Sequence, residues 1–250
     1  MLPGRRSRRS DDSGASVSLE AAAAALAQAH PSLDARTVTT LVHHSRDLLA
    51  AIDPEHELLQ QRAVDLAAAR IDALDATASP GVPHVLFLST RNDGMSIMAE
   101  ALVRASGASV VASSAGVRPV GAVLRSVVDS LAEVGVVEPG FPKPSTSEVL
   151  ARADVVVTML CDAPPLHDGQ RTEAWDLPDP AGLGSSAVRS LRDDIRMRVD
   201  ALLAGLASYR RAAPARGSLV AERPQPRRGR ARRSVSDDAT TSTLDSAIAR

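Results

Sequence analysis

The sequence predicts an α/β domain with a parallel sheet, preceded by a small three-helix domain. Short apolar runs alternate with helical patterns from residue 83 to residue 208, which is typical of strands connected by helices. Residues 17–76 instead repeat apolar side chains only at helical spacing. The two ends, residues 1–16 and 212–250, are rich in Ser, Pro, Gly and Arg and lack such a pattern, so we expect them to be disordered.

The N-terminal domain is predicted to contain three short amphipathic helices. The first begins after Ser18, a suitable N-cap, and ends at about Ala29 before Pro31. The second starts at Asp34, and its apolar positions are Val38, Leu41, Val42, Leu48, Leu49 and Ile52. The third follows Pro54, and we expect one apolar side formed by Leu58, Leu59, Leu66, Ile71 and Leu74. Three such helices with tight connections form a bundle.

The α/β domain is predicted from six further segments. The strands are Val85 to Leu88, Val110 with Val111, and Asp154 to Met159, whose apolar runs suit buried parallel strands. The helices are Ser96 to Ala105, Leu124 to Val134, and a last one with an apolar stripe from Val188 to Leu206. A linker at residues 77–83 separates this domain from the helical one.

Composition excludes several classes of function. Aromatic residues make up only 2% of the chain, so stacking of nucleic acid bases on aromatic side chains is excluded. Residues 17–78 carry nine acids against four Arg, which argues against specific DNA recognition. Cys161 is the only cysteine, so a disulfide framework and a cysteine-based zinc site are excluded and a cytoplasmic location is expected. No apolar run approaches the roughly 20 residues of a membrane span. We expect neither a metal nor a cofactor.

The loop from Ser89 to Met95 is the first candidate for a binding site. It follows the first predicted strand, and ligands of open α/β sheets bind beyond the carboxyl ends of strands. A helix begins directly after the loop, so backbone N–H groups and the positive end of the helix dipole are directed into it. This arrangement favours an oxyanion ligand.

The residues around this loop identify a family resemblance. The segment HVLFLSTRNDGMSIMAEAL resembles the phosphate loop of the low-molecular-weight protein tyrosine phosphatases and their arsenate reductase relatives. The similarity continues in Ser114-Ala115-Gly116, in Phe141-Pro142-Lys143-Pro144 and in the segment from Trp175 to Gly182. It covers roughly residues 83–208 and is closest to actinobacterial arsenate reductases, some of which carry an N-terminal extension similar to the three-helix unit. The resemblance implies a phosphatase-like open parallel sheet flanked by helices.

Two departures from the family pattern affect its chemistry. The resemblance places the nucleophilic cysteine at Ser89 and the oxyanion-holding arginine at Met95. A cysteine at a helix N-terminus ionises readily, whereas a serine hydroxyl needs an adjacent base. Methionine donates no hydrogen bond, whereas arginine offers a bidentate fork. We therefore interpret the catalytic site as decayed.

Other family positions remain suitable for binding. Asn92, Gly94 and Ser96 match positions that shape the oxyanion cradle, and Arg91 is a candidate replacement cation. The resemblance assigns Asp179 as the general acid position. Cys161 lies near the position of a resolving cysteine in thioredoxin-coupled relatives.

These residues predict a catalytically impaired protein that binds arsenate, phosphate or a phosphorylated protein weakly. One alternative is an active reductase or phosphatase with a site rebuilt around Ser89, Arg91 or Cys161, which as a reductase would need a thiol donor. A second alternative is a scaffold that binds partners through its helical unit and tails. The sequence does not indicate an oligomeric state.

Overall fold

The computed structural model describes residues 18–165 and 167–212 of the 250-residue chain. The disorder expected for residues 1–16 and 213–250 falls outside the described residues, whereas Ala212, also assigned to the tail, is the last residue of a helix. Within the described residues, seven helices and four strands follow one another in the order α1-α2-α3-β1-α4-β2-α5-α6-β3-β4-α7.

The first two N-terminal helices have the predicted starts, whereas the third begins at Leu59, after two turns, and not directly after Pro54. The three helices are α1 (Leu19–Ala29), α2 (Ala35–Ala50) and α3 (Leu59–Leu74). The Ser18 side chain accepts a hydrogen bond from the Ala21 N–H at 3.3 Å, and Asp34 accepts one from the Thr37 N–H at 3.1 Å. Both residues are therefore N-caps, which the sequence predicted for Ser18.

The apolar side predicted for α3 is only partly buried. Leu66 and Ile71 are buried, but Leu58 and Leu74 are 54% and 43% exposed. Leu58 is the cap residue that precedes the helix, and Leu74 is its last residue. The expectation of one continuous face was wrong at both ends, because helical spacing predicts a shared side only for residues inside the helix.

The sheet contains four parallel strands in the order β2-β1-β3-β4. They are β1 (His84–Ser89), β2 (Val111–Gly116), β3 (Val155–Met159) and β4 (Arg171–Ala174). The second strand is longer than predicted, since it continues through the polar pair Ser113-Ser114. The fourth strand was not predicted because its sequence RTEA is largely exposed and has no apolar signal.

Helices cover both faces of the sheet. The remaining ones are α4 (Met95–Ala105), α5 (Arg125–Ala132), α6 (Ser147–Arg152) and α7 (Ser185–Ala212). Along β1, Val85 and Phe87 pack with α4, α5 and α7, whereas Leu86 and Leu88 pack with α6 on the opposite face. None of the helices in the described segments is both long and apolar enough to cross a membrane.

The N-terminal helices also pack against the α/β part. Arg70 of α3 is 2% exposed and donates to both carboxylate oxygens of Glu148 in α6, at 2.8 and 3.4 Å. Phe141 joins the small apolar cluster formed by Leu49, Ala63 and Leu66. The three helices and the sheet have the predicted order, and the limits 17–76 and 83–208 stay predictions of domain boundaries.

Candidate functional site

The candidate site lies where three parallel strands end side by side. Ser89, the last residue of β1, is in register with Gly116 of β2 and Met159 of β3. The loop from Thr90 to Gly94 then leads from β1 into α4, and we call it the β1–α4 loop. Its position is the carboxyl edge of the sheet, where ligands of such folds bind.

Three polar side chains form a connected cluster in the β1–α4 loop and at its two ends. The hydroxyl oxygens of Ser89 and Ser96 are 2.7 Å apart, so one hydroxyl donates to the other. The backbone N–H of Asn92 donates to the Ser89 hydroxyl at 3.0 Å, and the Asn92 amide nitrogen donates to the Ser96 hydroxyl at 2.9 Å. The structure thus brings together three of the residues that the sequence selected.

Asn92 has the backbone conformation that this cluster requires. Its φ is +52°, in the left-handed region that asparagine tolerates better than most residues, and its side chain is fully buried. Its side-chain oxygen accepts a hydrogen bond from the backbone N–H of Lys143 at 2.9 Å. A Cβ at Gly116 would lie 3.0 Å from the Asn92 Cβ, so the neighbouring strand must end in glycine.

The N-terminus of α4 faces the loop without a side-chain cap. Gly94 is the cap residue, and no side chain bonds the first turn. The first N–H groups of a helix have no carbonyl partner within the helix, so those of Met95, Ser96 and Ile97 are available to a ligand. Glycine is required at position 94, because a Cβ there would lie 2.5 Å from Cγ of Pro180.

Arg91 lies between two carboxylates rather than pointing away into solvent. Its Nε is 2.9 Å from Asp93 Oδ2, and its terminal nitrogen is 3.5 Å from Asp179 Oδ1. Burial raises the pKa of Asp93, and the charge of Arg91 counteracts this rise. Asp179 also accepts the Ala181 N–H at 2.9 Å, so it caps a turn at the rim of the site.

Met95 is directed into the core. It is 4% exposed and belongs to the apolar cluster that contains Phe87 and Met98. Position 95 therefore provides the loop with a backbone N–H but no polar side chain.

Cys161 is not part of the Ser89 cluster. Its thiol lies 3.5 Å from the carbonyl oxygen of Leu88 and packs with the apolar residues on the α6 face of the sheet. Burial raises the pKa of this thiol. A thiol with a raised pKa is less ionised at neutral pH, which is opposite to what a nucleophile requires.

Backbone hydrogen bonds tie the β1–α4 loop to its neighbours. The segment after β2 donates from Val117 to the carbonyl of Ser89, from Arg118 to Thr90, from Val120 to Arg91 and from Leu124 to Asp93. The Thr90 hydroxyl donates to the carbonyl of Leu160 in the segment after β3. These bonds hold the backbone of the loop against the segments that follow β2 and β3.

Two features of this site were not predicted from the sequence. One is the pairing of Arg91 with Asp93, two residues whose charges alone could have suggested it. The other is Lys143, the only lysine of the chain, whose ammonium lies 3.1 Å from Glu100 Oε2 while its backbone bonds Asn92. Its signal was present in the Phe-Pro-Lys-Pro segment, but no local pattern connects that segment to Asn92. Across the described ranges 18–165 and 167–212, no group of three or more His, Cys, Asp or Glu side chains could hold a metal ion.

Comparison with known proteins gives matches over this part of the chain. A family model described as low-molecular-weight phosphotyrosine protein phosphatase matches residues 84–164. The thioredoxin-dependent arsenate reductase of Corynebacterium glutamicum is similar in structure, with a TM-score of 0.67 and 30% sequence identity. That match covers 76% of this chain and 97% of the reductase.

A shorter solved structure is also similar. The arsenate reductase of Archaeoglobus fulgidus is 32% identical, with a TM-score of 0.42, over 48% of this chain and 98% of its own. The Corynebacterium match, in contrast, extends beyond the length of the α/β part alone.

Proposed function

This chain belongs to the low-molecular-weight phosphotyrosine protein phosphatase and arsenate reductase family, and from that premise we propose that it binds an oxyanion without turning it over. The ligand would be arsenate, phosphate or a phosphorylated side chain of a partner protein, held in the β1–α4 loop. The single observation that carries the proposal is the set of partners around the Ser89 hydroxyl.

Those partners include no group that could remove a proton from Ser89. Its oxygen is bonded to the Ser96 hydroxyl and to the Asn92 N–H. A serine becomes a nucleophile when a neighbouring base takes its proton, and neither contact can act as that base. The hydroxyl is therefore suited to hold a ligand by a hydrogen bond.

Turnover also requires a hydrogen-bond donor that stabilises the negative charge developing on the oxyanion. Met95 is buried in the core and has no donor. Removing one such donor from an enzyme lowers its rate by about 10²–10³-fold. Absence of both the activated nucleophile and this donor supports binding in place of catalysis.

The loop still offers several groups to an anion. The uncapped N–H groups of α4 and the positive end of its dipole are favourable, and Arg91 adds a cation at the rim. Asp93 and Asp179 oppose the anion and also occupy the guanidinium of Arg91. Because the two carboxylates outnumber the one arginine, binding is expected to be weak.

Turnover by a rebuilt site is the competing function. It would need Ser89, Arg91 or Cys161 to replace the missing groups, together with a thiol donor if the reaction were arsenate reduction. The raised pKa of Cys161 and the ion pairs of Arg91 both disfavour it. A lone thiol at Cys161 also suits a reducing compartment, so we place the proposed function in the cytoplasm.

Calorimetric titration with sulfate, phosphate and arsenate tests the proposal, alongside turnover assays with aryl phosphate and with arsenate plus thiol. We expect binding without turnover, and Arg91→Gln should weaken binding about tenfold, as expected when a hydrogen bond to a charged group is lost. Arg125→Gln is the matched control, since this arginine is exposed and pairs with Asp129 one turn away on α5.

Absence of binding in the unmodified chain would contradict the proposal. Turnover that disappears in Ser89→Ala would show an activated serine, and turnover lost only in Cys161→Ala would show a relocated nucleophile. Equal binding by Arg91→Gln and the unmodified chain would remove Arg91 from the site.

A further inference from the structure

The three-helix unit contacts two segments of the α/β part, and both of these segments hold the β1–α4 loop. One contact is made by Phe141, which lies between β2 and α6 in the chain. The other is made by Gly121 in the segment between β2 and α5. The two contacts are separate in sequence but lead to the same loop.

Phe141 is the residue that the α/β part contributes to the apolar cluster of the helices. It packs against the cluster of Leu49, Ala63 and Leu66, and the Arg62 guanidinium of α3 lies 5.2 Å from its ring centroid. The Lys143 ammonium lies 5.3 Å from the same ring. Cation–π attraction therefore links the ring to α3 and to the lysine two residues further on.

Lys143 connects this contact to the loop. Its ammonium is buried against Glu100 at 3.1 Å and the Ser114 hydroxyl at 3.3 Å. Its backbone N–H donates to the side-chain oxygen of Asn92, and its carbonyl accepts the N–H of Gly116. Prolines on both sides of Lys143 restrict the backbone of this segment, so a displacement of Phe141 is passed on to Lys143.

Asn92 in turn determines the positions of both hydroxyls in the site. Its N–H is bonded to Ser89 and its side-chain amide to Ser96. Because the left-handed conformation of Asn92 costs backbone energy, it persists only while its hydrogen bonds hold it. Loss of the Lys143 bond would therefore loosen the contacts of both serines.

The second contact acts on the other side of the loop. A Cβ added at Gly121 would lie 3.2 Å from Asp53 Oδ2, so the segment after β2 is packed closely against the connection between α2 and α3. The same segment bonds the carbonyls of Ser89, Thr90 and Arg91 through its backbone.

From these contacts we infer that the three-helix unit sets the conformation of the β1–α4 loop, with Phe141 and Lys143 as positioning residues. Packing of α2 and α3 holds the two segments, and these hold Asn92 and the loop carbonyls. The inference concerns the conformation of the loop and does not depend on which anion binds or whether any does.

Amide hydrogen exchange in the full-length chain tests this inference without any ligand. In Phe141→Ala, the Asn92 amide should exchange about tenfold faster than in the unmodified chain, as local opening becomes easier. Val199→Ala is the matched control, because Val199 is buried in α7, outside the three-helix unit and its two contacts. It should lower the melting temperature while changing the Asn92 exchange rate less than about twofold. Equal Asn92 exchange rates in the two variants would overturn the inference.

Two further variants test the same contacts if Phe141→Ala fails to fold. Phe141→Leu keeps an apolar side chain but loses the ring, and it should still accelerate exchange at Asn92. Gly121→Ala should shift the amide resonances of Val117 and Arg118, and adding Asp53→Ala should reverse those shifts by removing the opposing carboxylate. Identical shifts with and without Asp53→Ala would contradict the second contact. If the unmodified chain bound no anion but these exchange results appeared, only the proposed function would fail.

Discussion

Replacing Met95 by arginine would restore the hydrogen-bond donor that the family pattern has at this position, next to the β1–α4 loop. The side chain of Met95 is 4% exposed and packs in the main core. Burial of a methionine side chain contributes about 1.5–3 kcal/mol. An arginine that turns toward the loop loses this packing, so Met95→Arg should lower the free energy of unfolding by about 2 kcal/mol in buffer without anions.

An oxyanion should then restore the lost stability. A ligand at a hundredfold excess over its Kd adds about 2.7 kcal/mol to the free energy of unfolding, which is close to the loss. Urea denaturation with and without sulfate measures both effects through the fluorescence of Trp175, the only tryptophan, which is 5% exposed and lies 5.7 Å from Phe87 between ring centroids.

Met95→Ala is the matched control, because it loses the same core contacts and provides no guanidinium. Sulfate should stabilise Met95→Arg clearly more than Met95→Ala. An equal sulfate effect in the two variants would refute the argument, since it would place the new guanidinium outside the loop.

An arginine at position 95 should also act together with a restored nucleophile at position 89. Ser89→Cys alone should have little activity, because the anion still lacks its donor. Combined with Met95→Arg, it should hydrolyse an aryl phosphate at a rate above the product of the single effects. A folded, sulfate-binding double variant that stays inert would mean that the loop has also changed its shape, with Arg91 and Asp93 as the first residues to test.

Three other predictions concern protons and packing. Burial lowers the pKa of His84 to about 4. Above the ordinary pKa of histidine, this side chain is neutral in both the folded and the unfolded chain. As the pH falls, the unfolded chain binds the proton first. About 3 kcal/mol of stability should be lost between about pH 7 and pH 4 in urea titrations, and an identical loss in His84→Gln would refute this. Burial raises the pKa of Asp93, so in calorimetry sulfate should bind more tightly as the pH falls, because protonation removes a negative charge beside Arg91. Asp93→Asn should abolish that pH dependence, and a dependence that persists would assign it to another group. Gly94→Ala should lower the free energy of unfolding by about 1–3 kcal/mol because its Cβ meets Pro180, whereas Gly184→Ala, with no atom within 4 Å, should not.

Much of the fold could be predicted because strong local patterns produced it. The apolar run of β1 and the capped starts of α1 and α2 are properties of a few consecutive residues. The strand β4 and the six-residue helix α6 were missed, since one is polar and the other is too short for a periodic pattern. Both are defined by what they pack against, which consecutive residues do not reveal.

The sequence by itself determined which chemistry is absent from the site. Serine at position 89 cannot supply a thiolate and methionine at position 95 cannot supply a guanidinium, whatever the fold around them. Only the tertiary structure decided which distant residues meet at the site. Arg91 contacts Asp179, 88 residues away in sequence, and Lys143 bonds Asn92, 51 residues away. The physical reason is that the functional groups of a side chain are local properties of the sequence. Its partners, in contrast, depend on which distant segments the parallel sheet and the three-helix unit bring together.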